Sequence, residues 1–191
     1  MALMATEAPH YPGTPPAGEW TINHLYALPD DGLRHELVDG VLLMTAAPTI
    51  RHQVVSMAFS YVLRAACPPD MQVLAAPTDY QPDHRNSVQP DLLVARVTDL
   101  DLEGSLRTPP LLIVEILSPS TRRRDLTIKK SLYQTLGVPA YWIFDPDVPA
   151  LTMLTLTDGI YQLDTKLVGH ESVEATWPYR VDLCPAELVE G

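Results

Sequence analysis

The sequence predicts an α/β domain with helices packed on a central sheet, and three observations point to this class. A helical pattern is followed by three strand-like apolar segments, a second helix and a further strand. Hairpin signals with Asp-Gly at the turn stand at both ends of this series. At 191 residues, with 46% hydrophobic and 19% charged residues, the chain has the size and composition of one globular domain.

The N-terminal 19 residues differ in composition from the rest of the chain. They contain four prolines and are predicted to form a flexible arm, so a single domain is expected over residues 20–191. The arm lacks a basic segment followed by an apolar one, which argues against a secretory signal. No apolar run approaches the roughly 20 residues of a membrane span. Cys67 and Cys184 are the only cysteines, without CxxC spacing, and this favours a reducing cytoplasm over a disulfide framework or structural zinc.

The first elements are a short helix and a hairpin. Thr21 is a suitable N-cap for a helix through Leu28, which Pro29 and the residues after it end. His35–Val38 and Val41–Met44 then flank Asp39-Gly40, a strong two-residue hairpin signal.

A longer helix is predicted next. Thr49 caps it, it runs to about Ala66, and Pro68-Pro69 stops it. Its apolar residues recur at helical spacing: Ile50, Val54, Met57, Ala58, Tyr61, Val62 and Ala65.

The remaining elements alternate between strands and one helix. Strands are predicted at Gln72–Ala76, Val88–Ala95, Leu111–Leu117 and Ala140–Phe144, and a final hairpin joins Leu151–Leu156 to Ile160–Leu163 across Asp158-Gly159. A helix over Asp125–Leu136 precedes the fourth of these strands, with Gly137 as its C-terminal cap.

Asp91, Glu115 and Lys129 are charged residues placed where apolar ones are expected. Each carboxylate is embedded in a short apolar run, and Lys129 falls on the apolar face of its helix. A charge is expensive to bury unless it is paired or bound to a metal. Structural alternatives remain for each: a strand-start cap for Asp91, a buried ion pair for Glu115, and a lysine whose ammonium reaches solvent.

Taken together, these three residues favour a metal site. Magnesium prefers oxygen ligands, so Asp91 and Glu115 are predicted to bind it, with the backbone carbonyl of Ile116 nearby. Such a metal polarises a phosphodiester and lowers the pKa of an attacking water. Lys129 is then expected to orient that water or to stabilise charge on the phosphate. Asp125 and Tyr133 are interpreted as capping or packing residues.

The net charge of −11 argues against a general nucleic-acid coat protein, because such a chain repels phosphate backbones. Basic charge is nevertheless concentrated just after Glu115, at Arg122–Arg124, Lys129 and Lys130. A solvated basic loop is the alternative interpretation of this run.

Several stretches carry a resemblance to a known family. They are His35–Gly40, His52-Gln53, Pro90-Asp91, Val114–Thr121, the spaced Asp125, Lys129 and Tyr133, and Gly137–Pro146. From Thr21 to about Leu163 the chain resembles the Uma-type restriction endonucleases, within the PD-(D/E)xK nuclease superfamily. The resemblance implies a restriction-endonuclease-like core and a DNA endonuclease that depends on Mg²⁺ or Mn²⁺.

One departure from the superfamily signature is evident. Leu117 occupies the position where the signature has lysine, and the resemblance suggests that Lys129 replaces it. Glu36 and His52 also match family positions, and Glu36 could add a third carboxylate to the metal site. The alternatives are cross-strand pairing for Glu36 and a local hydrogen bond at the helix start for His52.

Two functions from different classes follow. The first is a cytoplasmic DNA endonuclease with no membrane partner. This enzyme is expected to be a homodimer, and the C-terminal hairpin and tail (Leu151–Leu188) supply apolar residues for the dimer contact. The second is a catalytically degenerate module that keeps the fold and binds nucleic acid or a protein partner. Leu117 and the acidic net charge favour the second.

Overall fold

A computed structural model describes residues 14–190 of the chain. Residues 1–13 of the predicted flexible arm, and Gly191, lie outside the described residues, so flexibility there stays a prediction. From Gly18 onward the chain is held against the first hairpin. The N–H groups of Gly18 and Trp20 donate to the carbonyl oxygen of Gly40, at 2.8 and 3.0 Å, and the Trp20 side chain is buried.

The elements follow one another along the chain as short strands with few helices. The strands are β1 (Arg34–Val38), β2 (Val41–Thr45), β3 (Met71–Ala75), β4 (Tyr80–Asp83), β5 (Asn86–Val88), β6 (Leu92–Arg96), β7 (Leu112–Ile116), β8 (Ala140–Asp145), β9 (Ala150–Thr157), β10 (Ile160–Val168), β11 (Val173–Ala175) and β12 (Val181–Leu183). The helices are α1 (Ile22–Tyr26), α2 (Ile50–Ala66), α3 (Arg122–Arg124), α4 (Lys130–Thr135) and α5 (Glu187–Glu190), with a 3₁₀ turn at Val97–Asp99 and a π-helical turn at Asp125–Lys129.

Within residues 14–190, the centre of the fold is a six-stranded sheet in the order β10-β9-β8-β7-β6-β3. Strands β7 and β8 are parallel, and each other neighbouring pair is antiparallel. The parallel pair needs a crossover, which α3, the π-helical turn and α4 supply as one continuous helical segment. This segment brings its side chains back over the sheet.

Each face of the central sheet packs against a different layer. One face contacts α2, through Val55, Phe59 and Leu63, together with α5 and the β11–β12 pair. The other face contacts α4 and a second, four-stranded sheet in the order β2-β1-β5-β4. The predicted α/β layering is therefore confirmed. None of the helices in the described part of the chain has the length and apolar character that a bilayer crossing needs.

Both predicted hairpins are present. In the first, Val38 pairs with Val41 across Asp39 and Gly40, whose φ angles are +48° and +74°. Positive φ at both central residues is the type I′ turn that matches the twist of the flanking strands, and this explains the Asp-Gly pair. The second hairpin is longer than predicted, because β10 continues to Val168.

The strand predicted over Val88–Ala95 is wrong as a single element. The structure divides it into β5, in the small sheet, and β6, in the central sheet. Pro90 lies at the break, where its lack of an N–H group interrupts ladder pairing. The break moves the chain from one sheet to the other immediately before Asp91.

The helix predicted over Asp125–Leu136 begins earlier, at Arg122, so the basic run is helical and not a loop. Its π-helical turn alters which side chains face inward. Lys129 is buried as predicted, but Leu126, expected on the same inward face, is 42% exposed. Strands β4, β11 and β12 and helix α5 were not predicted; each is only three or four residues long.

Candidate active site

Asp91 lies at the junction of the two sheets, directly before β6, and its side chain is buried. Its Oδ2 accepts a hydrogen bond from the Ile116 N–H at 2.8 Å and lies 3.1 Å from Nε2 of His52. Burial alone would raise the pKa of this carboxyl. Hydrogen bonding and attraction from His52, with the charge of Lys129, outweigh burial and lower the pKa. Asp91 is therefore ionised at neutral pH.

Glu115 lies on β7, beside the residue that binds Asp91. Its Oε1 accepts hydrogen bonds from Nζ of Lys129 at 2.9 Å and from the Tyr133 hydroxyl at 2.8 Å. Burial raises the pKa of the Glu115 carboxyl to about 8, because attraction to Lys129 offsets only part of the lost solvation and the surrounding carboxylates repel a further negative charge. The two central carboxyls thus differ in their affinity for a proton.

Glu36 reaches the same cluster from β1 in the other sheet. Its Oε1 accepts a hydrogen bond from the Gln89 N–H and lies 2.9 Å from Nζ of Lys129. Burial opposes ionisation of Glu36, but Lys129 and Arg34 together outweigh it and lower the pKa. Its neighbour across the hairpin is the apolar Leu43, so cross-strand pairing does not account for this carboxylate.

Lys129 lies at the end of the π-helical turn with its side chain 1% exposed. Its ammonium bridges Glu36 and Glu115, and its pKa is raised because these carboxylates more than offset the cost of burial. The alternative of a lysine that extends to solvent is therefore wrong. Tyr133 follows four residues later, on the same helical face, and binds the same oxygen of Glu115.

His52 occupies the first turn of α2. Its N–H donates to the Thr49 hydroxyl at 3.3 Å, and its ring lies against Asp91. The ring nitrogen Nδ1 is buried and has no hydrogen-bond partner within residues 14–190. The local backbone bond expected at the helix start is present, but it does not explain the ring contact with Asp91.

A cavity of about 290 Å³ opens over the cluster. Asp91, Glu115 and His52 contribute to its lining, together with Asp125 and Arg34. Because Lys129 lies beneath Glu115 and outside this lining, a molecule in the cavity meets the carboxylates before it meets the ammonium.

Arg34 is a site residue that the sequence analysis missed. Its Nη1 lies 3.5 Å from Oδ1 of Asp91 and its Nη2 lies 3.7 Å from Oε2 of Glu36. Its buried Nε has no hydrogen-bond partner among the described residues. Residues 34 and 36 of a strand point to the same face, so the sequence places Arg34 beside Glu36 but does not place it beside Asp91.

The basic run beside the site is partly neutralised. Arg122 forms a two-contact ion pair with Asp145, at 2.7 and 2.9 Å. Arg124 donates to the Thr45 hydroxyl at 2.6 Å and lies 3.5 Å from Glu36. Two of the three arginines therefore support the local structure of the site.

The donors at the cavity fit a hard divalent cation better than a soft one. Carboxylate oxygens from Asp91 and Glu115 line it, and Mg²⁺ commonly uses one or two carboxylates with waters and phosphate. Oε2 of Glu36 and Oδ1 of Asp125 are buried without a hydrogen-bond partner in the part of the chain that is described. No group of three or more His, Cys, Asp or Glu residues is arranged to hold a metal ion within residues 14–190. Metal binding by Asp91, Glu115 and Ile116 therefore stays a prediction, and it would need water and substrate to supply the remaining ligands.

Comparisons with known proteins agree with this architecture. A model of the Uma2 family, described as putative restriction endonuclease, matches residues 22–180. The crystal structure of a putative nuclease belonging to DUF820 from Anabaena variabilis has a similar fold, with a TM-score of 0.68 and 17% sequence identity. The similarity covers 89% of this chain and 97% of that chain, and the restriction-endonuclease-like fold is thereby confirmed. A comparison with curated proteins gave no match.

Proposed function

Because the chain belongs to the Uma2 family of putative restriction endonucleases, we propose that it is a DNA endonuclease that hydrolyses phosphodiester bonds with Mg²⁺ or Mn²⁺. One observation carries the proposal. Asp91, directly before β6, and Glu115, on the neighbouring strand β7, line one cavity, and a buried lysine is bonded to Glu115.

The metal would be held by Asp91 and Glu115, with the backbone carbonyl of Ile116 as a further oxygen donor. A bound divalent cation polarises the scissile phosphodiester and lowers the pKa of the attacking water. The Ile116 N–H fixes the Asp91 carboxylate, and Tyr133 and Lys129 fix that of Glu115. Rigid ligands limit the reorganisation that binding and catalysis require.

In this proposal Lys129 replaces the signature lysine, as the family resemblance suggests. Leu117, at the signature position, is buried among apolar side chains and has no charge to offer. The Lys129 ammonium supplies positive charge beside Glu36 and Glu115, where it favours their ionised forms and stabilises charge near the attacking water or scissile phosphate.

His52 and Arg34 complete the proposed site at the cavity wall. His52 orients Asp91 and, through its unpartnered Nδ1, contributes a polar atom beside the carboxylates. Arg34 presents a planar set of donors at the wall of the cavity, the geometry that suits a phosphate oxygen pair. In this proposal Arg34 binds the phosphate beside the metal ligands.

A cleavage assay tests the proposal with linear, supercoiled and single-stranded DNA, in Mg²⁺, in Mn²⁺ and in EDTA. Metal-dependent cleavage by wild type is expected, with loss of cleavage in Asp91→Ala and Glu115→Ala. Circular dichroism and thermal unfolding of both variants establish whether folding is intact. Cleavage that persists in both folded variants would refute the assigned site.

A second candidate is a nuclease-fold module that binds nucleic acid or a protein without cleaving. Leu117 in place of lysine and the net charge of −11 favour it. The same assay discriminates, because metal-independent DNA binding without cleavage on any of the three substrates supports the module.

The proposed enzyme is a cytoplasmic homodimer. Cys67 and Cys184 are both free, as a reducing compartment requires. A two-fold dimer would present two cavities to one duplex, one for each strand.

A further inference from the structure

Helix α2 carries an exposed apolar stripe, made of Ile50, Val54, Met57 and Tyr61 and called here the α2 stripe. These side chains are 83, 46, 72 and 75% exposed, in that order. A shallow groove of about 830 Å³ runs along the stripe, and Leu188 of α5 forms part of its wall. Large apolar side chains in one contiguous exposed row are typical of an interaction surface.

The stripe lies opposite the face by which α2 packs on the central sheet. The buried face consists of Val55, Phe59 and Leu63, about 180° around the helix axis from the α2 stripe. The helix is therefore apolar on two opposite sides. An apolar side of a helix is expected to be buried, and within residues 14–190 only the side that faces the sheet is covered.

The spacing of the stripe is that of a helix–helix seam. Ile50, Val54, Met57 and Tyr61 are separated by four, three and four residues, the repeat by which side chains of paired helices interlock. The neighbouring Ala58 and Ser60 are small, so a second helix can approach closely. The surface is shaped for another helix with the same repeat.

We propose that a second copy of this chain covers the α2 stripe, with the two α2 helices antiparallel across a two-fold axis. The inference rests on the homodimer of the proposed function and names its surface. In this arrangement Val54 faces Met57 of the partner subunit, and Ile50 faces Tyr61 of the partner subunit. The stripe is thus complementary to itself, as a two-fold interface requires.

The charged residues near the α2 stripe favour a second copy of the chain as the partner and favour antiparallel pairing. Although the chain has a net charge of −11, α2 contains no Asp or Glu, so the two helices bring no acidic side chains to the centre of the interface. Glu187 lies at the edge of the groove. Arg51 is already paired with Asp147 at 3.0 Å. Arg64 continues the seam after Tyr61; parallel helices would set two Arg64 residues side by side, and antiparallel helices separate them. Antiparallel pairing also aligns the helix dipoles favourably. Ile50, Val54 and Met57 have no polar hydrogen to donate to a phosphate backbone.

The exposed area is consistent with the centre of a dimer interface. The four side chains expose on the order of 400 Å², taking roughly 150 Å² for a large side chain in full exposure. Each partner in a standard interface buries roughly 800 Å². The stripe supplies about half of this, and the rim, which includes Glu187 and Gln53, surrounds it.

The proposed interface adjoins the candidate site. Pro48 lines both the cavity over Asp91 and the groove along the stripe. Pairing about the midpoint between Val54 and Met57 sets the two Thr49 residues roughly 20 Å apart along the helix axes. The two cavities then lie toward opposite ends of the paired helices, separated by a distance on the scale of a DNA duplex.

Sedimentation of the full chain in EDTA, without DNA, tests the surface independently of catalysis. Wild type is expected to be a dimer at micromolar concentration, and Met57→Glu to be a monomer with at least a 100-fold weaker association. The matched control is Leu163→Glu, which places the same charge at a 62% exposed leucine on β10 and is expected to leave the dimer intact. A monomeric wild type overturns the inference, as does a dimer lost in Leu163→Glu and kept in Met57→Glu.

Disulfide trapping tests the direction of pairing in a Cys67→Ser/Cys184→Ser background. Val54→Cys/Met57→Cys is expected to form a covalent dimer under mild oxidation, and Ile50→Cys alone is not. Cross-linking of Ile50→Cys with none in the double variant would overturn the antiparallel arrangement. Because neither measurement uses DNA or metal, a dimer that does not cleave refutes only the proposed nuclease, and a monomer that cleaves refutes only this interface.

Discussion

The Lys129 ammonium and the Glu115 carboxylate lie 2.9 Å apart in the interior of the protein, one from a helix and one from a strand. Each side chain is 1% exposed. The lysine also lies 2.9 Å from Glu36, so one cation serves two carboxylates. Either acid alone could be neutralised by a proton, but the shared lysine couples the small sheet, the central sheet and the crossover helix at one point.

The single variant Lys129→Met should be less stable than the double variant that also replaces its carboxylate partner by a neutral amide. Lys129→Met is expected to lower the free energy of unfolding by about 3–5 kcal/mol, because it leaves buried carboxylates without their counter-charge. Adding Glu36→Gln should recover part of the loss, since Glu36 is the ionised partner of Lys129 and a neutral amide needs no cation. Urea unfolding of wild type, both single variants and the double variant measures the coupling. Strictly additive effects would contradict the direct ion pair.

Glu115 should also make stability depend on pH in an unusual direction. Its pKa rises from 4.5 to about 8 on folding, so between these values the folded state binds a proton more tightly than the unfolded state. The stabilisation from this group is complete below pH 4.5 and is lost as pH rises toward 8. Unfolding in EDTA at several pH values, for wild type and Glu115→Gln, measures this contribution. The wild type should lose more stability than Glu115→Gln between pH 5 and 8; identical profiles would contradict the raised pKa.

The sequence predicted the framework of the site better than its interior. The Asp-Gly hairpins, Thr49 as a helix cap and the strand around Glu115 depend on local signals, and the structure has all of them. Burial of Lys129 was also predicted, although Leu126, used to define the inward face, is exposed. The π-helical turn alters the facing of the helix, and no local signal in the sequence marks it.

Two features depended on information that a local pattern does not contain. Helix α2 is apolar on opposite sides, so its periodicity could not tell which side packs on the sheet. The contribution of Arg34 arises because β1 belongs to a second sheet whose edge meets the site. The contact between Arg34 and Asp91 joins residues far apart in the sequence, so it could be identified only from the structure.

Metal binding should stabilise the native protein through Asp91. Mn²⁺ is expected to raise the melting temperature of wild type, because the folded state holds the ligands together and the unfolded state does not. Asp91→Asn should lose most of this shift. Glu174→Gln, at an exposed carboxylate paired with Arg180, is the matched control and should keep the shift. A shift of equal size in Asp91→Asn would assign the metal to other residues.

Lys129→Met is expected to separate metal affinity from catalysis. A lysine is a poor metal ligand, so titration with Mn²⁺, followed by calorimetry at a temperature where the variant is folded, should give an affinity close to that of wild type. Cleavage should fall by a factor of 100 or more, about 3 kcal/mol in the activation barrier. Lys130→Met, the same substitution at the next position, controls for the loss of a charge. Equal losses in metal affinity and cleavage would assign Lys129 to the structure of the metal site alone.

Arg34 should contribute to substrate binding rather than to metal binding. Arg34→Gln removes the guanidinium at the cavity wall, and the loss of one or two hydrogen bonds to a charged phosphate is worth roughly 1.5–3 kcal/mol, or about 10- to 100-fold in kcat/KM. Arg34→Lys should recover only part of it, because an ammonium lacks the planar pair of donors. Arg124→Gln is the matched control. Arg124 also lies near Glu36, but it donates to the Thr45 hydroxyl and does not line the cavity.

Steady-state cleavage of a short duplex, with the Mn²⁺ melting shift measured in parallel, distinguishes the roles of Arg34. A fall in kcat/KM with an unchanged melting shift supports phosphate binding by Arg34, and loss of the shift in Arg34→Gln would instead mean that Arg34 acts by holding Asp91 in place.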